Sequence, residues 1–183
     1  MMINWNDPAL ESAMREITNI HGRPIEEDDV SGITELNLEG YDIRRIDSLR
    51  FLPGLQQLNL ENNCISDIGV LRLLPQLREL YLGCNEIQDI RPLESLQNLV
   101  RLSLNDNDIF SIAPLSGLCR LEVLDLENNC IRDVSPILEL SRLECLFLKD
   151  NPVENAELLL ELPSLETLSA DEEFPDADIY EQL

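Results

Sequence analysis

The chain has 183 residues, 44% of them hydrophobic but only 4% aromatic, and its 36 acidic and 13 basic residues leave a formal charge of −23. That supplies one domain with a sizeable, mostly aliphatic core and argues against wholesale disorder. A field of this sign repels nucleic acid and anionic membranes and favours a basic partner; no stretch has the length and apolarity of a membrane span.

In chain order, residues 1–29 stand apart from the rest of the chain. Residues 1–14 hold no basic run followed by an apolar stretch of the kind that directs secretion, so the expected location is the cytoplasm. Asn6 or Asp7 is placed to cap a helix with Pro8 in its first turn, which sets Leu10, Met14 and Ile17 on one face. Glu26 to Asp29 are expected to open a second short helical turn. Trp5, just before the first helix, is expected to cover the first layer of core.

From Val30 onward the sequence is periodic. Windows of 22 residues starting at 30, 52, 74, 96, 118, 140 and 162 run to Leu183 without insertion or deletion. Each carries an aliphatic residue at its fourth and seventh places and, except in the last, a leucine at its ninth, as in Leu55-Leu58-Leu60 and Leu77-Leu80-Leu82. The twelfth place reads Asn63, Asn85, Asn107, Asn129 and Asn151, with apolar residues again at the fourteenth and seventeenth places. The alternation of leucines predicts a short strand in every window, with the leucines inward, and stacked windows predict a parallel sheet that no single copy could bury alone. The asparagine amide is suited to bond the backbone of its own and neighbouring turns. Pro92, Pro114 and Pro136, all at the nineteenth place, help set the return segment on the convex side. The ladder breaks at Tyr41 and Glu173, in the terminal windows where capping copies are expected.

The pattern L-x-x-L-x-L-x-x-N resembles the leucine-rich repeat. With NDPALESAMREI (residues 6–17), ISDI (65–68) and IRPLESLQNL (90–99), it is similar to the helical cap and 22-residue repeats of bacterial internalin-like proteins. The resemblance implies an α/β solenoid, a right-handed superhelix with a concave parallel β-sheet and a helical N-terminal cap. It divides the chain into a cap at 1–29, six repeats at 30–161, and an atypical seventh repeat with the C-terminal cap at 162–183. It also implies a scaffold that binds proteins on its concave face. Internalins are exported, and no wall-sorting L-P-x-T-G is present here, so adhesion to host cells is not expected. The stretch KDNPVENAELLLELPSLETLSADEEF (149–174) resembles the C-terminal cap of the 22-residue class in a eukaryotic phosphatase regulator and in leucine-rich acidic nuclear proteins, which implies a short helix around Ala156–Leu162.

Neighbours of inward leucines point outward, so the sixth, eighth and tenth places of each window line the concave face. Among these, Tyr81, Arg101, Val123 and Phe147 are the expected anchors of a protein partner, flanked by Glu79, Asp125, Glu127 and Lys149. Exposed aromatics and arginine are the residue types that anchor interfaces. Acidic Glu35, Glu39, Glu61 and Glu79 would steer a basic partner toward that face. The expected assembly state is a monomer. A second reading fits the same charge: an acidic inhibitor that neutralises a basic toxin or enzyme, in the manner of an immunity protein.

Catalysis is not expected. His21 is the single histidine, in a loop with Gly22 and Pro24, and no Ser-His-Asp or Cys-His set accompanies it. No cofactor or metal is expected either: there is no glycine-rich phosphate loop, and Asp171, Asp176 and Asp178 lack the frame of a calcium loop. Cys64, Cys84, Cys119, Cys130 and Cys145 are odd in number and read as reduced thiols. Two of them sit in LENNCISDI (60–68) and LENNCIRDV (126–134), phrases 66 residues apart, which the same packing problem in two windows would explain. Three strand spacings of about 4.8 Å separate Cys64 from Cys130, too far for a disulfide. Both are expected to be small buried hydrophobes.

Overall fold

The computed structural model describes residues 1–170. Helix α1 (Pro8–Thr18) and the single turn α2 (Glu27–Val30) precede seven three-residue strands: β1 (Glu35–Asn37), β2 (Gln57–Asn59), β3 (Glu79–Tyr81), β4 (Arg101–Ser103), β5 (Val123–Asp125), β6 (Cys145–Phe147) and β7 (Thr167–Ser169). They form one parallel sheet in chain order, and every partner is displaced by one 22-residue window, as in Leu36 opposite Leu58 opposite Leu80. Between strands the chain returns through short 3₁₀ turns such as Gly69–Leu73 and Arg91–Ser95. Pro92, Pro114 and Pro136 each stand in the first turn of one of these, where a fixed φ and a missing N–H do no harm. Asp67, Asp89 and Asp133 start three of them by accepting the backbone N–H two residues on.

Two layers of aliphatic side chains fill the space between the strands and the return turns. The inward strand leucines from Leu58 to Leu146 are at most 1% exposed, as are Ile65, Ile87, Ile109 and Ile131 behind them. The asparagine ladder runs along one edge of this core. Asn63 donates from Nδ2 to the carbonyls of Leu38, Leu60 and Glu61 at 2.8–3.0 Å, and its Oδ1 accepts the Ile43 N–H at 2.9 Å. Asn107 and Asn129, further along the ladder, repeat the same set in their own windows. Each amide therefore closes its own turn and ties it to the preceding window. Tyr41, in the asparagine place of the first window, instead donates its hydroxyl to Glu16 of α1 at 3.0 Å.

Two turn features were not anticipated from the sequence. The eleventh place of the first six windows, occupied by Gly40, Asn62, Cys84, Asp106, Asn128 and Asp150, takes positive φ throughout. Glycine, asparagine and aspartate tolerate that region; Cys84, at φ 54, is the exception. The other feature is the left-handed Asn19 that ends α1, with its N–H bonded to the Glu16 carbonyl.

The cap corrects one expectation and meets two others. Leu10 and Met14 are fully buried, but Ile17 is 43% exposed. The chain reverses just beyond it, and Ile20 packs on the core in its stead. Asp7 is the helix cap, its Oδ1 accepting the N–H groups of Ala9 and Leu10, and Trp5 is 3% exposed within the first core layer. The cysteines correct another expectation. All five thiols are free, yet Cys130 is exposed and Cys64 only half-buried. Their windows use the backbone at this place, where Cys64 and Cys130 donate to the Ile43 and Ile109 carbonyls, and the side chains point away from the core. Shared packing thus accounts for the leucines and asparagines of the doubled phrase but not for its cysteines. Asp171, Glu173, Asp176 and Asp178 lie outside the described residues.

Candidate protein-binding face

Strand register aligns the outward side chains in rows across the sheet. Glu79, Arg101, Val123 and Cys145 stand side by side in one row, and Tyr81, Ser103, Asp125 and Phe147 in the next. The rows bring all four expected anchors together: Tyr81, Arg101, Val123 and Phe147 line one shallow depression of about 210 Å³, with Asp125 of the expected flank and with Glu61, Leu102 and Ser103. Val123, Tyr81 and Phe147 are half-buried rather than open, while Arg101 is exposed. Arg101 forms no ion pair among the described residues. Lys149 is exposed beyond the end of β6 and does not line the depression.

Polar contacts fix much of this surface. The Tyr81 hydroxyl donates to Glu79 Oε2 at 3.0 Å. Ser103 Oγ donates its proton to Asn105 Oδ1 at 2.7 Å and stands 3.4 Å from Glu61 Oε1, and Ser169 Oγ donates to Glu127 Oε1 at 2.9 Å. Gly83 leaves the room that Asn105 occupies, since a Cβ there would lie 2.3 Å from Asn105 Oδ1. Burial raises the Tyr81 phenol, and the bond to Glu79 raises it further. Burial also pushes the Glu61 carboxyl up, with the charge of Glu39 adding to the effect. Asp125 is raised by burial, against the Glu127 N–H that favours its charged form.

Glu61 and Ser103 belong to this surface but not to the anchors expected from the sequence. Their signal lay in the 66-residue recurrence that also doubles LENNC. A larger open hollow of about 600 Å³ lies on the convex side, among Arg44, Arg45, Arg50 and Arg72, and shares no residue with the concave face. Among the described residues no three His, Cys, Asp or Glu side chains gather as a metal site would require. No helix there is long and apolar enough to cross a membrane.

The family model for Leucine Rich repeats (2 copies) matches residues 53–96, 75–113 and 97–139. The structure superimposes on an internalin, inlF, of Listeria monocytogenes with a TM-score of 0.78 and 29% identity over 91% of this chain. The chain carries leucine-rich repeats and is similar in fold to internalins. A second Listeria monocytogenes internalin, inlC2, aligns over 91% of this repeat protein with a TM-score of 0.62 and 25% identity. A leucine-rich repeat protein of Leptospira interrogans aligns over 80%, with a TM-score of 0.70 and 28% identity. The repeat protein spans 56% of the inlF chain, 94% of inlC2 and 39% of the Leptospira chain. No curated protein matches it in sequence. Proteins of this repeat class typically act as non-catalytic modules that bind other proteins.

Proposed function

We propose that this repeat protein is a non-catalytic, monomeric binding module whose protein partner docks on the concave sheet around Tyr81, Arg101, Val123 and Phe147. The observation that carries the reading is the depression on β3–β6, where two half-buried aromatic rings flank an arginine that forms no ion pair among the described residues. Repeat packing requires none of these three side chains to be there. Together they supply what interface centres use: rigid apolar area with a fixed polar edge. Glu79, Asp125, Glu127 and Lys149 form the polar surround. The acidic surface, including Glu35 and Glu39, favours a partner with a basic docking face, and five free thiols are in keeping with a cytoplasmic setting.

The test compares wild type with a Tyr81→Ala, Phe147→Ala double variant in partner capture from the source lysate, at low and high salt. The expected result is a partner held by wild type and lost by the variant, with Phe147→Ala alone weakening it by about 1 kcal/mol or more. A partner retained by both proteins would sink the concave-face reading and direct attention to the convex arginine hollow. Very fast association that collapses with salt would favour the acidic-inhibitor reading over an apolar contact.

A further inference from the structure

The concave face repeats at a longer interval than the solenoid does. Leucines and asparagines must recur every 22 residues for packing, but outward residues need not. Nevertheless Glu61 and Glu127, Tyr81 and Phe147, and Ser103 and Ser169 form three pairs at the same 66-residue interval. Their geometry recurs as well. Ser103 reaches Glu61, and Ser169 reaches Glu127, each across two windows and over the strand that carries the aromatic ring. In both copies the residue two places before the glutamate, Asn59 or Asp125, accepts the glutamate's backbone N–H, at 2.9 and 3.1 Å. Twice, therefore, a glutamate whose backbone N–H is held extends its carboxylate across a strand bearing an outward aromatic to a serine two windows on, at 3.4 Å in the first copy and 2.9 Å in the second.

An aromatic face beside a fixed carboxylate is a cation site: the ring attracts positive charge and the carboxylate takes its hydrogen bonds. A planar guanidinium uses both at once, stacking while it donates, which an ammonium cannot do. Resting on the concave-face reading, we infer that the sheet carries two related guanidinium subsites, and that they take an extended partner segment with two arginines four residues apart. The spacing decides the segment. Three strand intervals place the subsites roughly 14 Å apart, and four residues of extended chain span about 13 Å with both side chains on one face. A helix would need about nine residues for that distance, which puts the second side chain on its far side.

Each subsite has one cation of the protein's own near it. Arg101, on the strand next to Tyr81, acts on that ring's surroundings, and Lys149 stands at the tenth place beside Phe147. A bound guanidinium is therefore opposed by one charge at either subsite.

Peptides of glycine and serine carrying one arginine, or two at spacings of two, four or six residues, are titrated into the full chain. The spacing of four should bind about tenfold more tightly than the single-arginine peptide, the gain expected of one added cation–aromatic contact with its carboxylate. Tyr81→Leu and Phe147→Leu keep the apolar bulk and remove the ring, and each should abolish that gain while single-arginine binding persists. Equal affinity for all spacings, or binding of none of the peptides, overturns the twin subsites. Partner capture separates this failure from that of the docking face: a lysate partner that Tyr81→Ala, Phe147→Ala still loses leaves the face standing.

Discussion

Asp7 and Arg44 are joined by a 2.9 Å bond in which the carboxylate Oδ2 accepts the arginine's backbone N–H, and the same oxygen accepts that of Arg45. The other oxygen caps α1, so one side chain fastens the cap helix to the first turn of the solenoid. Burial alone would raise this carboxyl, but the N–H groups of Leu10, Arg44, Arg45 and Ala9 outweigh it and hold it below the ordinary 3.8. A group lowered in the folded state contributes stability above its unfolded value and loses it as pH falls through the folded one. Asp7→Ala should cost about 3 kcal/mol at pH 7, from a lost cap and two unpaired N–H groups. Urea unfolding at pH 7 and pH 3 checks both parts: the gap between variant and wild type should narrow in acid. An unchanged gap would mean the carboxylate is not the fastener.

Adjacent asparagines in one phrase should behave differently. Asn63 is 8% exposed, donates its Nδ2 to three carbonyls and accepts one backbone N–H at Oδ1. Asn63→Ala should therefore lose about 3 kcal/mol, the order expected when buried donors and acceptors lose their partner. Asn62 is exposed, bonds Glu39 at 3.2 Å, and stands at φ 56, so Asn62→Ala should cost about 1 kcal/mol, mainly for the left-handed backbone. Equal losses in denaturant titrations would show that the ladder is not what separates them.

The solenoid was legible because its packing demands are periodic. A leucine every 22 residues has one place to go, and the window gives the strand, its register and the side that faces out. Departures arose where backbone rather than side chain sets the place. Cys64 and Cys130 looked like core because they follow a buried asparagine, yet the turn uses only their N–H groups. Ile17 lies on the correct helical face but in the last turn, just before Asn19 reverses the chain and Ile20 takes the place on the core. On the concave face, Tyr81 and Phe147 were visible as outward aromatics that packing did not require. Glu61 was visible only as one of several acidic residues steering a partner, and Ser103 was not singled out, because their contact joins windows that are not neighbours.

Acid should weaken a basic ligand on the concave face sooner than ordinary carboxylates would allow. Burial raises both Glu61 and Asp125 above their usual 4.5 and 3.8, so they take up protons earlier as pH falls. The sign for stability is opposite to that of Asp7, since protonating a raised group relieves the folded state. Affinity for the two-arginine peptide, measured from pH 7.5 down to pH 4.5, should begin to fall above the ordinary carboxylate range. Glu61→Gln should lower affinity at pH 7.5 and flatten the curve. A profile identical to wild type would remove Glu61 from the cation site.

Cys84 offers a stabilising change that the protein's other windows already suggest. It sits at φ 54 in the place where Asn62, Asp106 and Asn128 adopt the same left-handed turn, a conformation that costs a cysteine about 1 kcal/mol more than it costs asparagine. Its thiol makes a 3.6 Å contact with Asp106 Oδ2, whereas Asn128 donates to the other oxygen of the same aspartate at 2.6 Å. Cys84→Asn should keep the turn, replace a weak sulfur donor with an amide, and raise stability by roughly 1 kcal/mol, visible as a higher midpoint of thermal unfolding. Cys84→Ala, which has neither the tolerance nor the donor, should not gain. If the asparagine variant unfolds at or below the wild-type midpoint, the backbone at this place carries no strain worth relieving.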